Sequence, residues 1–177
     1  MRILHPLVCY FPSQAGGPAN AIYWLNNSLN SNEFEYDVVS TKFGILKNSE
    51  DIKKNSNKRV IFLDSKGFYF LNHCLKSLKN SDIIQFSSLF FQPTLPLVCL
   101  AIFKKKAIII SPRGELYSSA LNQKKIKKYI WKYFIKLFQK QINFHATNNF
   151  EKLLILQHFP KAKRIDVIPN YIALSKK

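Results

Sequence analysis

Two glycine-containing loops hold the residues best suited to chemistry. In the first, Phe11-Pro12-Ser13-Gln14-Ala15-Gly16-Gly17-Pro18, two of the chain's five glycines stand back to back ahead of a helical pattern. Glycines without a Cβ let backbone N–H groups approach an anion, and a helix N-terminus beyond them adds unpaired donors and a partial positive charge. The spacing matches neither GxGxxG nor the Walker pattern, and the same residues suit a tight turn with Pro18 at the first helical position. The second loop, Ser111-Pro112-Arg113-Gly114-Glu115-Leu116, follows an apolar run and carries one of only four arginines. The Arg113 guanidinium suits a phosphate or carboxylate, Gly114 permits close approach, and Glu115 suits hydrogen bonds from sugar hydroxyls or the role of a base. A mutual Arg113–Glu115 ion pair closing a surface loop is the structural alternative.

Metal chemistry is not expected. His5, His73, His145 and His158 share no metal-ligand spacing with one another or with a cysteine. The three cysteines, Cys9, Cys74 and Cys99, are odd in number, lack a CxxC pair and read as buried thiols of a reducing cytosol.

The chain carries 27 basic against 10 acidic side chains, a formal net charge of +17. Such a balance suits nucleic acid, an anionic membrane surface or a polyanionic substrate. Lysines dominate it and sit among many Asn, Ile, Phe and Tyr, residues that share A/T-rich codons, so genomic base composition accounts for part of the excess. Ten lysines and Arg113 against Glu115 alone put a net +10 into the 37 residues from Lys104 to Lys140. Lys124, Lys128, Lys132, Lys136 and Lys140 recur every four residues and would form one slowly turning stripe on a helix. Ile126, Ile130, Trp131, Tyr133, Phe134, Leu137 and Phe138 occupy most of the remaining circumference. These apolar side chains are expected to pack on a sheet while the lysine rim meets anionic lipid headgroups; an ordinary solvated lysine face is the other reading. No RNP, helix-turn-helix or finger pattern accompanies the charge, so a nucleic-acid partner is not expected.

These residues need a scaffold. At 177 residues and 47% hydrophobic the chain is long enough for one domain with its own core. Its longest apolar stretches, such as Leu95 to Phe103, are about half of the ~20 residues a membrane span requires, and the N-terminus lacks a signal-peptide cleavage pattern. Short apolar runs alternate with helical patterns throughout, the signature of a doubly wound α/β fold. That fold is a mostly parallel, Rossmann-like sheet of about seven strands with helices on both faces. Strands are expected at Arg2–Cys9, Tyr36–Ser40, Arg59–Leu63, Ile83–Phe86, Ala107–Ser111, Phe144–Ala146 and Asp166–Ile168. Helices are expected at Pro18–Asn30, Phe68–Leu78, Pro93–Phe103, Gln123–Ile142 and Asn148–Phe159. Asn148 with Glu151 has capping-box spacing, and Pro160 follows the last helix. The polar segment Lys47–Lys58 reads as a surface loop.

In order along the chain, Arg2-Ile3-Leu4-His5, Phe11-Pro12, Gly16-Gly17-Pro18-Ala19, Asp82-Ile83-Ile84, Ser111-Pro112-Arg113-Gly114, Ala146-Thr147 with Glu151, and Val167-Ile168-Pro169-Asn170 form a set. This set resembles the N-terminal domain of family 4 glycosyltransferases, and the resemblance runs nearly end to end. It implies a GT-B architecture of two Rossmann-like domains facing across a cleft, the first holding mainly the acceptor and the second the nucleotide sugar, without a metal. By this resemblance Gly16 and Gly17 face the donor diphosphate and the reacting sugar. Ser88, Arg113, Gly114 and Glu115 are acceptor-side candidates, and Lys124, Lys128, Lys132 and Lys136 are membrane-surface candidates. Tyr171 stands where the family's hinge has Gly, and Gln85 where members often carry His. Residues 1–170 are then the acceptor-binding domain and 171–177 the start of a linker or tail, with the donor-binding domain, its basic residue and its E-x7-E motif absent. The implied function is the acceptor half of a cytoplasmic transferase, peripheral at the inner face of the cell membrane, acting on a glycan or glycolipid of cell-envelope polysaccharide synthesis. A separate C-terminal domain or partner transferase would complete it, and a non-catalytic module docking on membrane or protein is the alternative.

Overall fold

A short run rich in β-branched and aromatic side chains reads as a strand when both its neighbours and its faces are covered, and seven such runs form one sheet. A computed structural model describes residues 1–13, 17–28, 33–45, 59–64 and 67–170. The strands are β1 (Arg2–Leu7), β2 (Glu35–Thr41), β3 (Val60–Leu63), β4 (Ile83–Phe86), β5 (Ala107–Ile110), β6 (Ile142–Ala146) and β7 (Arg164–Val167). All pairings are parallel, in the order β3-β2-β1-β4-β5-β6-β7. The fold is therefore the expected doubly wound, Rossmann-like α/β type. Gly16, the proposed loop 47–58 and the tail 171–177 lie outside the described residues.

Six helices join the strands among those residues: α1 (Gly17–Ser28), α2 (Phe68–Asn80), α3 (Thr94–Phe103), α4 (Ser118–Asn122), α5 (Lys125–Leu137) and α6 (Asn149–His158). The strand order reverses direction at β1, and right-handed crossovers then send the helices before and after the reversal to opposite faces. The packing follows this rule. Ile22 of α1 packs with Leu7, Tyr10 and Val38 on one face. On the other, Phe70, Cys74 and Leu78 of α2, Leu97 and Ala101 of α3, Ile135 of α5 and Ile155 of α6 enclose the larger core.

Strands β4 to β6 alternate sharply. Ile84, Phe86, Ile108, Ile110, Ile142, Phe144 and Ala146 are buried against α2, α3, α5 and α6. Gln85, Ile109, Asn143 and His145, which point the other way, are only half-buried and floor a groove of about 630 Å³ walled by Ala21 and Leu25 of α1.

Three expectations need correction. The single helix expected over 123–142 is broken: Gln123 is extended, Lys124 adopts a left-handed backbone (φ +51°), and a 3-10 turn at Gln139–Gln141 leads into β6. Cys99 is exposed, because α3 buries Thr94, Leu97, Val98 and Ala101 and Cys99 falls on the opposite side, whereas Cys9 and Cys74 are buried as expected. The third correction concerns the orientation of α5. Ile135 is its one buried residue, while Ile126, Tyr129, Ile130, Tyr133, Phe134 and Leu137 are exposed. Lys128 and Lys132 lie half-buried on the inward side instead, their stems covered and their amines bonded to Ala120 O and facing His158 Nδ1. The apolar stripe faces outward and two of the lysines face inward, the reverse of the expected arrangement. No described helix is long and apolar enough to cross a membrane.

This orientation makes a clear prediction. Ile135→Ala should cost about 2–4 kcal/mol of stability, whereas Ile130→Ala, one turn away on the outer face, should change it by less than about 0.5 kcal/mol in chemical denaturation. Similar losses for both would mean that the helix is rotated from the orientation described.

Candidate functional site

In an all-parallel sheet every strand ends at the same edge, and a ligand crevice opens where the order reverses, here between β1 and β4. The loops after β1, β4 and β5 meet there around a cavity of about 220 Å³ lined by Val8, Ser87, Ser88, Pro112, Arg113 and Glu115. A second cavity of about 340 Å³ shares Val8, Ser88, Phe91 and Glu115 with the first and is closed on its far side by Lys124, Lys127, Lys128 and Trp131. The 630 Å³ groove reaches the same edge on the α1 face through Arg113 and Asn170. Arg113 thus stands between groove and cavity, and Glu115 between the two cavities.

Arg113 is unusual in three ways. Its backbone is left-handed (φ +49°), followed by Gly114 at φ +84°. Its Nη1 donates to Asn170 Oδ1 at 2.6 Å, while its buried Nε has no partner. Burial holds its pKa below the ordinary arginine value, opposed by the Glu151 carboxylate. The loop is held in this shape by Glu151, which is buried and accepts hydrogen bonds from Gly114 N (2.7 Å), Thr147 N (2.7 Å) and Thr147 Oγ1 (2.8 Å). The expected capping pair is half formed: Asn148 Oδ1 accepts from Glu151 N at 2.8 Å, but the Glu151 carboxylate turns to Thr147 and Gly114 instead of back to Asn148 N.

Glu115 makes no ion pair with Arg113. It accepts from Ser88 Oγ at 2.6 Å and from the backbone N–H groups of Leu89 and Phe90. Burial raises its pKa, and these three hydrogen bonds and the nearby Lys128 charge oppose the rise. The second cavity combines this carboxylate with two phenylalanine rings and three lysines. Lys128 Nζ lies 5.2 Å from the centroid of the Phe90 ring, and the buried Nε1–H of Trp131 has no partner. Amines and an indole N–H suit anionic or hydroxyl oxygens, and the rings suit the apolar face of a sugar.

The sequence-derived candidates therefore fall into groups. Ser88, Glu115, Lys124 and Lys128 line the second cavity together. Arg113 joins the first cavity to the groove, and Gly114 shapes its loop. Lys132 and Lys136 belong elsewhere, in a small notch against His158 of α6. Gly17 opens α1, four residues before Ala21 and eight before Leu25, so it continues the stripe that walls the groove. A Cβ at Gly17 would meet nothing within 4 Å, so local packing does not demand glycine there. Trp131, Asn170 and Glu151 were not singled out by type or spacing as site residues. Glu151 was marked by its capping spacing and by its place in the family resemblance, but its contact with Gly114 arises because β5 and β6 are neighbours.

Two histidines brace the edge. His145 Nε2 lies 2.8 Å from Ile168 O, a group that only accepts, so that nitrogen carries the proton and Nδ1 accepts from Ser111 Oγ at 2.8 Å. His5 is fully buried with neither ring nitrogen partnered, stacked on Tyr36. Burial, reinforced by the Arg113 charge, lowers its pKa from 6.5 to about 3. Below pH 6.5 the unfolded chain therefore takes up a proton that the folded chain refuses, and stability falls as the pH drops toward 3, by at most about 1.4 kcal/mol per pH unit for one group. His5→Phe should flatten the stability–pH curve by that slope in this window and leave it unchanged above pH 7, as followed by urea melts. Parallel curves would show that His5 titrates normally. Among the described residues, no three His, Cys, Asp or Glu side chains come together as a metal site. No protein-family model matches the chain, and no curated protein matches it.

Proposed function

We propose that this domain binds the acceptor in a nucleotide-sugar-dependent glycosyl transfer, as the first half of a family 4-like GT-B enzyme. One observation carries the reading: a half-buried guanidinium whose buried Nε has no partner stands at the strand-order reversal, where groove and cavity meet. A desolvated cation is costly unless an anion completes it. The ends of the parallel strands are where such folds take ligands. In this reading Arg113 faces a phosphate, and Gly17 leaves room for it beside the α1 N-terminus. Ser88, Glu115 and Trp131 hold the hydroxyls and one face of the acceptor sugar.

Displacement of a nucleoside diphosphate develops negative charge on the leaving group, and donors preorganised around that charge supply much of the catalysis. The described residues bring one half-buried cation and one helix N-terminus to the edge. The remaining donors belong, in this reading, to a second domain across the cleft. The acceptor is a glycan or glycolipid and the donor a cytoplasmic nucleotide sugar, with no resident metal or cofactor. The resemblance to family 4 enzymes and the Rossmann-like sheet support this assignment, and the presence of Glu115 and Lys128 together with aromatic rings in one cavity favours a sugar over a purely anionic ligand.

Fusing a family 4 donor-binding domain after Asn170 tests the proposal. The fusion should transfer sugar from at least one of the UDP-, GDP- or ADP-linked donors to a membrane glycolipid extract. Arg113→Ala should lower kcat/KM by about ten- to hundredfold, the range of a lost charge-assisted contact. The same change should leave the melting temperature unchanged or raise it, because it removes a half-buried, incompletely paired charge. Gly17→Val should keep the fold and lower transfer likewise. A clearly lowered melting temperature of Arg113→Ala, with undiminished binding of pyrophosphate or a sugar phosphate, would make Arg113 a structural residue.

A further inference from the structure

The outward face of α5 is the largest feature that sugar binding leaves unused. Ile126, Ile130, Tyr133 and Leu137 fall within about 60° of one another at 100° per residue, with Tyr129 and Phe134 at the margins. All six are exposed, Ile126 by 80%, although they are among the largest apolar side chains of the region. Lysines border the stripe on both sides, Lys127 on one and Lys125 with Lys136 on the other, all exposed. From Leu116 to Phe150 the chain carries no acidic residue at all.

We infer that α5 seats the domain on an anionic lipid bilayer, with its apolar stripe entering the headgroup boundary and the flanking lysines contacting the headgroups. Charge complementarity selects this occupant: a stripe bordered on both sides by cations, with no acid to repel lipid phosphates, matches a uniformly negative surface. Shape agrees, because the face is the convex side of a single helix, which a fluid interface accommodates without a preformed groove. The tyrosines at and beside the stripe suit the same boundary, where the ring is buried and the hydroxyl remains wet. The inference does not depend on sugar transfer.

Vesicle co-sedimentation of the full chain tests this, using phosphatidylcholine alone and phosphatidylcholine with about one-third phosphatidylglycerol. The chain should bind the anionic vesicles, bind neutral ones at least about tenfold more weakly, and lose affinity as salt is raised. Combined Ile126→Ser, Ile130→Ser and Tyr133→Ser substitutions should weaken binding to anionic vesicles at least about tenfold with an unchanged circular dichroism spectrum. Lys127→Gln with Lys136→Gln should do the same. Should the triple variant fold poorly, Tyr133→Trp in the otherwise intact chain supplies a second readout: its added emission should shift to the blue on anionic vesicles and be quenched by brominated acyl chains. Failure of the wild type to bind anionic vesicles at low salt overturns the inference. So does binding that the triple variant retains in full, or a Tyr133→Trp emission that lipid leaves unshifted. Concentration-dependent self-association of the wild type in sedimentation, abolished by the triple variant, would assign the face to a second copy of the chain and equally overturn it.

Discussion

Two carboxylates, Glu151 buried and Glu115 half-buried, hold the ligand edge in shape. Glu151, on α6, takes the N–H of Gly114 from the loop after β5 and both donors of Thr147 from the loop after β6. Glu115 takes Ser88, Leu89 and Phe90 from the loop after β4. These two side chains, together with the sheet itself, tie the three loops to one another. The balance of energies explains why the arrangement persists. A left-handed backbone at a non-glycine residue such as Arg113 costs roughly 1–2 kcal/mol. Each hydrogen bond to a charged group returns about 1.5–3 kcal/mol, and the two carboxylates accept six. The strain at Arg113 is thereby offset, and its guanidinium is delivered to the edge with Nε unpartnered.

The same accounting applied to α5 points to the outside of the molecule. A helix that only covered a sheet would turn Ile126, Ile130 and Leu137 inward, since burying each is worth about 1.5–3 kcal/mol. Here the interior receives Ile135, the half-buried Trp131 and Phe138, and the aliphatic stems of Lys128 and Lys132. The core beneath is already filled by Leu97, Val98, Ala101 and Phe144, so little room is left for a broad apolar face. Stability of the isolated fold does not account for the composition of this helix, and an external apolar surface does.

Much of the fold was legible because a parallel sheet buries its strands on the core face and writes them as short apolar runs. Ile108 and Ile110, or Ile142 and Phe144, announce themselves regardless of what surrounds them. Legibility ended where the argument needed to know which side was inside. Period and composition place Ile126, Ile130 and Tyr133 on one stripe, but they do not say whether that stripe meets a sheet or a solvent boundary, and the usual inference that apolar means inward gave the wrong orientation. Cys99 failed for the same reason, lying on the outer side of a helix apolar nearly all round. The site was legible in its residue types and not in its connections. In an extended loop Arg113 and Glu115, two apart in sequence, would point the same way and pair, yet the turn through Gly114 sends one to Asn170 and the other to the Ser88 turn. No local pattern encodes those partners, which are 57 and 27 residues away.

The chemistry divides along the thickness of the sheet. On the α1 face the groove ends at a guanidinium beside a helix that begins with an unobstructed glycine, and both features favour an anion. On the opposite face the cavity presents a carboxylate with its lone pairs largely committed, lysines and aromatic rings, a mixture that fits a hydroxylated ring carrying a charge at one end. Among the described residues, Arg113 lines both the groove and the first cavity, and Ser88 and Glu115 line both cavities next to it. Two ligands approaching this edge from opposite faces would therefore come together at Arg113. The proposed group transfer would use that placement, with one reactant contributing phosphate charge and the other hydroxyls.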